Sequence, residues 1–209
     1  MAARSNDTAQ FLDAHKNATA TAHNPRGHTL GVVGLGNIGY TIAKKAYAAF
    51  GMKIAYFDLY PKSQEQEAAI GATLYKSLDD MLAVSDCVVL ATPGQGDKKL
   101  IDAACLKKFK AGSRLVNIAR GSLVDEEAVA DAIESGHLFA AGLDVHLDEP
   151  NVNPRLAKLR QVTLTCHNAG GAVETNVGFE ALSMQNAEAV VLGKDPLTPV
   201  NKHLLTRSS

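Results

Sequence analysis

The stretch from His28 to Asp58, HTLGVVGLGNIGYTIAKKAYAAFGMKIAYFD, limits the possible folds more than any other part of the chain. It joins an apolar run, a glycine-rich turn, a helical pattern and a second apolar run ending in an acid, the order of a βαβ unit. Leu30 to Val33 is β-prone and bounded by glycines, as a buried parallel strand would be. In the turn Gly34-Leu35-Gly36-Asn37-Ile38-Gly39 the glycines have separate tasks. Gly34 permits the tight turn, Gly36 lets a pyrophosphate approach the backbone, and Gly39 lets the helix sit close on the strand. Phosphates would then meet the free N–H groups of a helix N-terminus. The helix is expected to bury Ile38, Ile42, Ala46 and Ala49, to turn Lys44 and Lys45 outward, and to stop at Gly51. A second strand, Lys53 to Phe57, delivers Asp58 nineteen residues after Gly39. A carboxylate there accepts hydrogen bonds from both adenosine ribose hydroxyls and repels a 2′-phosphate, so the spacing predicts NAD (NADH) over NADP. A glycine-rich turn alone is common in α/β proteins; here strand, helix and acid agree with it.

The rest of the chain repeats the alternation. Residues 8–22 have helical composition, and AHNPRGH then breaks the pattern. A polar helix from Pro61 to Gly71 leads to an edge strand, Ala72 to Tyr75, and Ser77 caps a helix ending near Val84. The strand Asp86 to Thr92 opens into the loop Pro93-Gly94-Gln95-Gly96. A helix from Leu100 to Phe109 precedes the strand Ser113 to Ala119, which runs into Arg120-Gly121. Then come a helix from Asp125 to Ser135 closed by Gly136, a strand from Leu138 to Val145, a proline-marked loop, a strand from Val162 to Cys166 ending at His167, and a helix from Ala172 to Leu192. Six or seven strands alternating with helices predict the α/β class: one doubly wound parallel sheet, a Rossmann fold, as a single domain. Its expected limits are residues 24–193, after a leading helix and connector (1–23) and before an irregular tail (194–209).

Charge excludes some partners. With 21 basic and 22 acidic residues and a net charge of −1, nothing favours nucleic acid or an anionic membrane. No apolar run approaches the ~20 residues that span a bilayer. The N-terminus MAARSNDTAQ lacks the apolar core of a signal peptide, so a cytoplasmic location is expected. Cys87, Cys105 and Cys166 are odd in number and set in apolar contexts, which predicts reduced, packed thiols rather than a disulfide framework or a metal site.

Ligands of open α/β sheets lie at the carboxyl ends of the strands. Arg120, Glu149 and His167 fall there or in the loops that follow. An arginine fork matches a carboxylate, a histidine exchanges protons near neutral pH, and a carboxylate beside it fixes its tautomer. Glu149 is the candidate for that partner, and Asp144 could accept a hydrogen bond from a nicotinamide carboxamide. Singly, each has an ordinary explanation: a turn arginine, a solvated loop acid, a hydrogen-bonded strand-end histidine. His15, His23, His28, His137, His146 and His203 are expected to lie away from strand ends and to keep such roles. Cys166 beside His167 is not a thiol nucleophile for it, since neighbours on a strand point to opposite faces.

VGLGNIG, VNIARGSLVDEEAVADAIESGHLFAAGLDVHLDEP and VTLTCHNAGG resemble the signature blocks of the D-isomer-specific 2-hydroxyacid dehydrogenases. The wording around them, AHNPRGH and LTCHNAGGAVET included, is similar to the fungal D-mandelate dehydrogenase-like branch. The resemblance implies hydride exchange between NAD(H) and a small 2-oxo or D-2-hydroxy acid, aromatic or branched. It implies Arg120 on the substrate carboxylate, His167 as acid/base and Glu149 as its partner. It further implies Gly34, Gly36 and Gly39 at the pyrophosphate with Asn37 in the same turn, Asp58 at the ribose and Asp144 at the amide. Ile38, Thr92, Pro93, Ala119 and Gly170 would line the cofactor. Members of the family usually carry proline where this chain has Cys166, and a threonine in the loop PGQGDKK. They form homodimers and have a first domain supplying the other wall of the cleft, which the resemblance does not find here. Three functions stay open on this basis: a reductase completed by another polypeptide or a dimer mate, an NAD(H)-binding module without turnover, and an enzyme for a bulkier substrate.

Overall fold

The apolar run after His28 forms β1 (Thr29–Val33), buried at every residue but the first. That pattern requires cover on both faces. In the computed structural model, which describes residues 12, 15–16, 19–94 and 99–200, β1 is the third strand of a seven-stranded sheet. The others are β2 (Lys53–Phe57), β3 (Ala72–Leu74), β4 (Cys87–Leu90), β5 (Ser113–Asn117), β6 (Leu138–Leu143) and β7 (Val162–Leu164). The order is β3-β2-β1-β4-β5-β6-β7 and every pair is parallel. Chain direction across the sheet therefore reverses between β1 and β4, the switch point where such sheets open a crevice.

Register sets the strand ends level. Val33 lies opposite both Phe57 and Leu90, Leu90 opposite Asn117, Asn117 opposite Leu143, and Leu143 opposite Leu164. The loops after these strands therefore emerge along one edge. Alternate residues feed two apolar clusters, one per face. Leu30, Val32, Ile54, Tyr56 and Val89 belong to one; Val33, Ala55, Val88, Leu90 and Leu115 belong to the other.

The helices are α1 (Asn37–Phe50), α2 (Gln64–Ile70), α3 (Leu78–Val84), α4 (Ala103–Leu106), α5 (Glu126–Glu134) and α6 (Val173–Val191). In α1 the buried stripe is Gly39, Ala43 and Ala46, which keeps only Ala46 of the expected one: Ile38 is 65% exposed, Ala49 is exposed and Ile42 is half-buried. The cause is the close approach at Gly39, where a Cβ would stand 2.1 Å from the Gly34 carbonyl oxygen. Contact so tight runs through the smallest residues and rotates Ile38 outward. α2 starts at Gln64 rather than Pro61 because Ser63 caps it in a reciprocal capping box with Gln66. α4 is shorter than the expected 100–109. Leu100 and Ile101 instead donate their N–H groups to the Leu123 carbonyl at 2.8 and 2.9 Å, and Asp102 caps what remains.

Of the expected leading helix, the described residues 12, 15–16 and 19–21 are helical and the rest lies outside the described residues, as do 95–98 in the loop after β4 and 201–209 in the tail. By internal contacts the chain falls into two units, 1–167 and 168–209. The first holds the whole sheet. The second is built on α6, where the Asn186 side chain pairs with the backbone N–H and hydroxyl of Thr198 and so fixes part of the tail. No described helix is long and apolar enough to cross a membrane.

Candidate active site

Glycines let the loops at the level edge touch one another. Gly34, with φ of 90°, has no room for a side chain: a Cβ would lie 2.8 Å from the Ala91 oxygen and 2.9 Å from the Thr92 Cβ. The loops after β1 and β4 meet there. Gly36 is the opposite case, since a Cβ would meet nothing within 4 Å. Gly36 is also the N-cap of α1, no side chain caps that helix, and its first turn holds no acid. Orphan N–H groups beside open space suit an anion. Asp58, at the end of β2, accepts from Leu35 N–H through Oδ2 at 2.6 Å and from Tyr60 N–H through Oδ1 at 2.8 Å. One carboxylate therefore fixes both the glycine turn and the start of the loop after β2. The residues present fit a dinucleotide, with its pyrophosphate at the α1 N-terminus. Asn37 and Ile38, both exposed, form the first turn there, and Pro93 and the buried Ala119 follow β4 and β5.

Arg120 is shaped by Asn117, which is 1% exposed. The Asn117 amide donates to the Arg120 carbonyl at 2.9 Å, and its oxygen accepts from Ala119 N–H at 3.0 Å. The Arg120 guanidinium turns back to the Ala119 carbonyl at 2.6 Å. A Cβ on Gly94 would lie 3.6 to 3.8 Å from Ser122 Oγ and the Arg120 stem, so the loop after β4 runs along Arg120. Beyond Arg120, a Cβ on Gly121 would be 2.0 Å from the His146 carbonyl. The loops after β5 and β6 are thus packed backbone to backbone.

Glu149 and His167 come together. His167 Nδ1 donates to Glu149 Oε2 at 2.8 Å, while Glu149 Oε1 accepts from His146 N–H at 2.9 Å. These bonds, that from His167 first, hold the Glu149 carboxyl below the usual carboxylate range. With Nδ1 committed, Nε2 is the nitrogen left for proton exchange, and half of the His167 side chain is exposed. The His167 backbone is left-handed, with φ of 52°, and its N–H donates to the Asp144 carbonyl at 2.8 Å. A β-carbon in that region costs roughly 1–2 kcal/mol. Asp144 is 6% exposed and accepts from the Thr165 hydroxyl at 2.5 Å, so it lies deeper than a surface contact for an amide. Gly170 falls in the second unit, in the turn before α6.

The Glu149 loop is anchored on both sides by α5. Glu126, buried at 8% exposure, accepts from Leu147 N–H at 2.9 Å. Arg155 binds Glu127, Asp131 and Glu134 on the same helix.

Two expectations need correction. His146 is not remote from the strand ends; it stands three residues past β6 and is 7% exposed, its ring Nε2 bonded to the Thr165 carbonyl at 2.8 Å. Cys166 is exposed rather than packed, because the chain leaves β7 at Leu164. Cys87 and Cys105 are half-buried, and burial pushes their thiols up to about 11 and about 12. Sequence reasoning missed Asn117, Gly121, Glu126 and His146. Asn117 alone left a usable signal, a polar residue closing an apolar strand; Glu126 looks like any first-turn acid.

The family model for the D-isomer-specific 2-hydroxyacid dehydrogenase NAD-binding domain matches residues 2–169. The chain is 44% identical to D-mandelate dehydrogenase of Rhodotorula graminis, with a TM-score of 0.92 over 95% of this chain and 58% of that one. It is 39% identical over 180 residues to glyoxylate reductase of Pyrococcus horikoshii, covering 86% of this chain and 53% of the relative. The NAD-complexed D-isomer-specific 2-hydroxyacid dehydrogenase of Lactobacillus delbrueckii ssp. bulgaricus superposes with a TM-score of 0.78 at 25% identity, over 92% of this chain and 63% of that one. The chain spans about half the length of the curated relatives it matches. With its GxGxxG turn, the acid after β2 and a seven-stranded parallel sheet, the chain belongs to the D-isomer-specific 2-hydroxyacid dehydrogenases, as their NAD-binding domain.

Proposed function

We propose that this chain carries the cofactor-binding and proton-transferring part of an NAD-dependent oxidoreductase interconverting a 2-oxo acid and a D-2-hydroxy acid. The single observation that carries the proposal is the Glu149–His167 pair at 2.8 Å, with the histidine in a left-handed conformation at the sheet edge from which the glycine turn also emerges. Bound NAD(H) supplies or takes up the hydride. His167 Nε2 gives a proton to the oxygen that becomes a hydroxyl and takes one in the reverse direction. Glu149 fixes the tautomer and aim of the imidazole. Arg120 releases the Ala119 carbonyl and grips the substrate carboxylate through its fork. Gly34, Gly36, Asn37, Ile38 and Gly39 hold the pyrophosphate, Asp58 the ribose, and Thr92, Pro93 and Ala119 line the rest.

Asp58 disfavours a 2′-phosphate, which supports NAD over NADP. The 44% identity to a D-mandelate dehydrogenase supports an aromatic or branched substrate. A homodimer acting in the cytoplasm completes the proposal. A second reading, NAD(H) binding without turnover, draws on the Arg120 guanidinium being bonded to its own backbone neighbour. NADH oxidation by the 209-residue chain with a panel of aromatic and branched 2-oxo acids, beside calorimetric NADH binding, separates them. Turnover lost in His167→Ala and Arg120→Ala supports the enzyme. Tight binding without turnover supports the module, and absence of both overturns both.

A further inference from the structure

His146 is bonded to Glu149 and to the segment that carries His167. Its N–H donates to Glu149 Oε1 at 2.9 Å, and its ring Nε2 bonds the Thr165 carbonyl at 2.8 Å. A carbonyl only accepts, so Nε2 carries the proton. Thr165 lies two residues before His167 in the segment that leaves β7, and it is fixed again by its hydroxyl on Asp144 and its N–H on the Leu143 carbonyl at 3.0 Å. The His146 main chain cannot retreat, because Gly121 is packed against its carbonyl. One buried residue thus connects a fixed point on the β6 loop to the Glu149 carboxylate on one side and to the strand exit bearing His167 on the other.

We infer that His146 is a positioning residue, whose ring holds the His167 segment in register with the Glu149 loop. Any residue but proline supplies the N–H for Glu149, so the ring bond is the part specific to histidine. The usual role of a buried, satisfied histidine is stability alone. Here one bond ends on Glu149 and the other on Thr165, two residues before His167, and loosening the ring bond moves imidazole and carboxylate relative to each other. The role in catalysis rests on the reaction proposed above; the positioning does not.

The test compares His146→Phe, which keeps bulk and removes the donor, with His146→Gln, whose amide nitrogen can replace Nε2. The readout is the NMR titration of the Glu149 carboxyl in the cofactor-free chain, with thermal unfolding as control. In the parent and the Gln variant Glu149 titrates below the ordinary range; in the Phe variant it returns toward that range. Where turnover is measurable, the Phe variant loses on the order of tenfold or more in kcat, since small misplacement is costly, with NADH affinity unchanged. A depressed Glu149 titration retained in His146→Phe overturns the inference. If that variant does not fold, His146→Asn, too short to reach Thr165, must give the same upward shift or the inference fails. Absence of turnover in the parent, with the titrations as described, sinks the proposed reaction and leaves the positioning standing.

Discussion

Gly121→Ala is the most direct test of how the site is assembled. The added Cβ would lie 2.0 Å from the His146 carbonyl carbon and oxygen and 2.5 Å from Leu147 N, where real Cβ contacts essentially never fall under 3.0 Å. Every atom it meets is backbone, so one loop must shift by roughly an ångström or more. Neither loop is free to do so. Leu147 N–H is held by Glu126, the Arg120 carbonyl by Asn117, and the Leu123 carbonyl receives two N–H groups from Leu100 and Ile101. Overpacking of this kind costs typically ~1–3 kcal/mol, and a 1 Å displacement at a reacting centre costs on the order of 10²-fold in rate. The α1 N-terminus stands on β1, on the other side of β4, and is not strained by the change. Urea unfolding, calorimetric NADH binding and turnover are to be measured on one preparation. The expected result is lower stability by ~1–3 kcal/mol, turnover down by about 10²-fold and NADH affinity unchanged. Unaltered stability and turnover would refute the reasoning, and so would a loss of NADH affinity as large as the loss of turnover.

Gly36→Ala should leave urea stability within ~0.5 kcal/mol, since its Cβ meets nothing and φ of −66° suits alanine. Calorimetric NADH affinity should fall, and unchanged affinity would place the pyrophosphate elsewhere. Burial pushes the Asp86 carboxyl up, but the Lys110 ammonium and the Thr29 N–H outweigh it and hold it below its ordinary 3.8. The native value is thus below the unfolded one, so its contribution is complete above that ordinary value and disappears as pH falls through the depressed one. Asp86→Asn should cost on the order of 1–3 kcal/mol at pH 7, with the gap from the parent closing in acid unfolding scans. His167→Asn should unfold no earlier than the parent, because asparagine tolerates the left-handed backbone, yet show no turnover.

The glycine turn was legible because its cause is local. Gly34 and Gly39 must be glycine for reasons that a turn and a helix impose within six residues, Gly36 leaves open space at the helix N-terminus, and Asp58 follows at the distance of one helix and one strand. Glu149 and His167 were legible as candidates by their place at strand ends and through the family resemblance. What holds them was not. The His146 ring, Glu126 and Gly121 act through contacts between segments 19 or more residues apart in sequence, as the bonds from His146 to Thr165 and from Leu147 to Glu126 show. Such contacts leave no period. The α1 stripe failed for a related reason: hydrophobic periodicity ranks Ile38 and Ala49 by apolarity, whereas close packing selects by size, so Gly39, Ala43 and Ala46 are the buried ones.

His167 lies at the point where stability and chemistry ask for different residues. Its φ of 52° is a conformation that glycine or asparagine adopts at less cost, and its half-exposed ring adds little to either apolar cluster. A fold needing only a turn at the end of β7 gains nothing from a histidine there. The strain persists because the surroundings over-determine it: the N–H is bound by Asp144, the ring by Glu149, and the preceding Thr165 by Asp144, Leu143 and His146. Most of those constraints belong to the β6 strand end and its loop, which α5 anchors in turn through Glu126 and Arg155. The imidazole is therefore aimed by the first unit of the chain, from the same edge of the sheet that presents the glycine turn and Asp58.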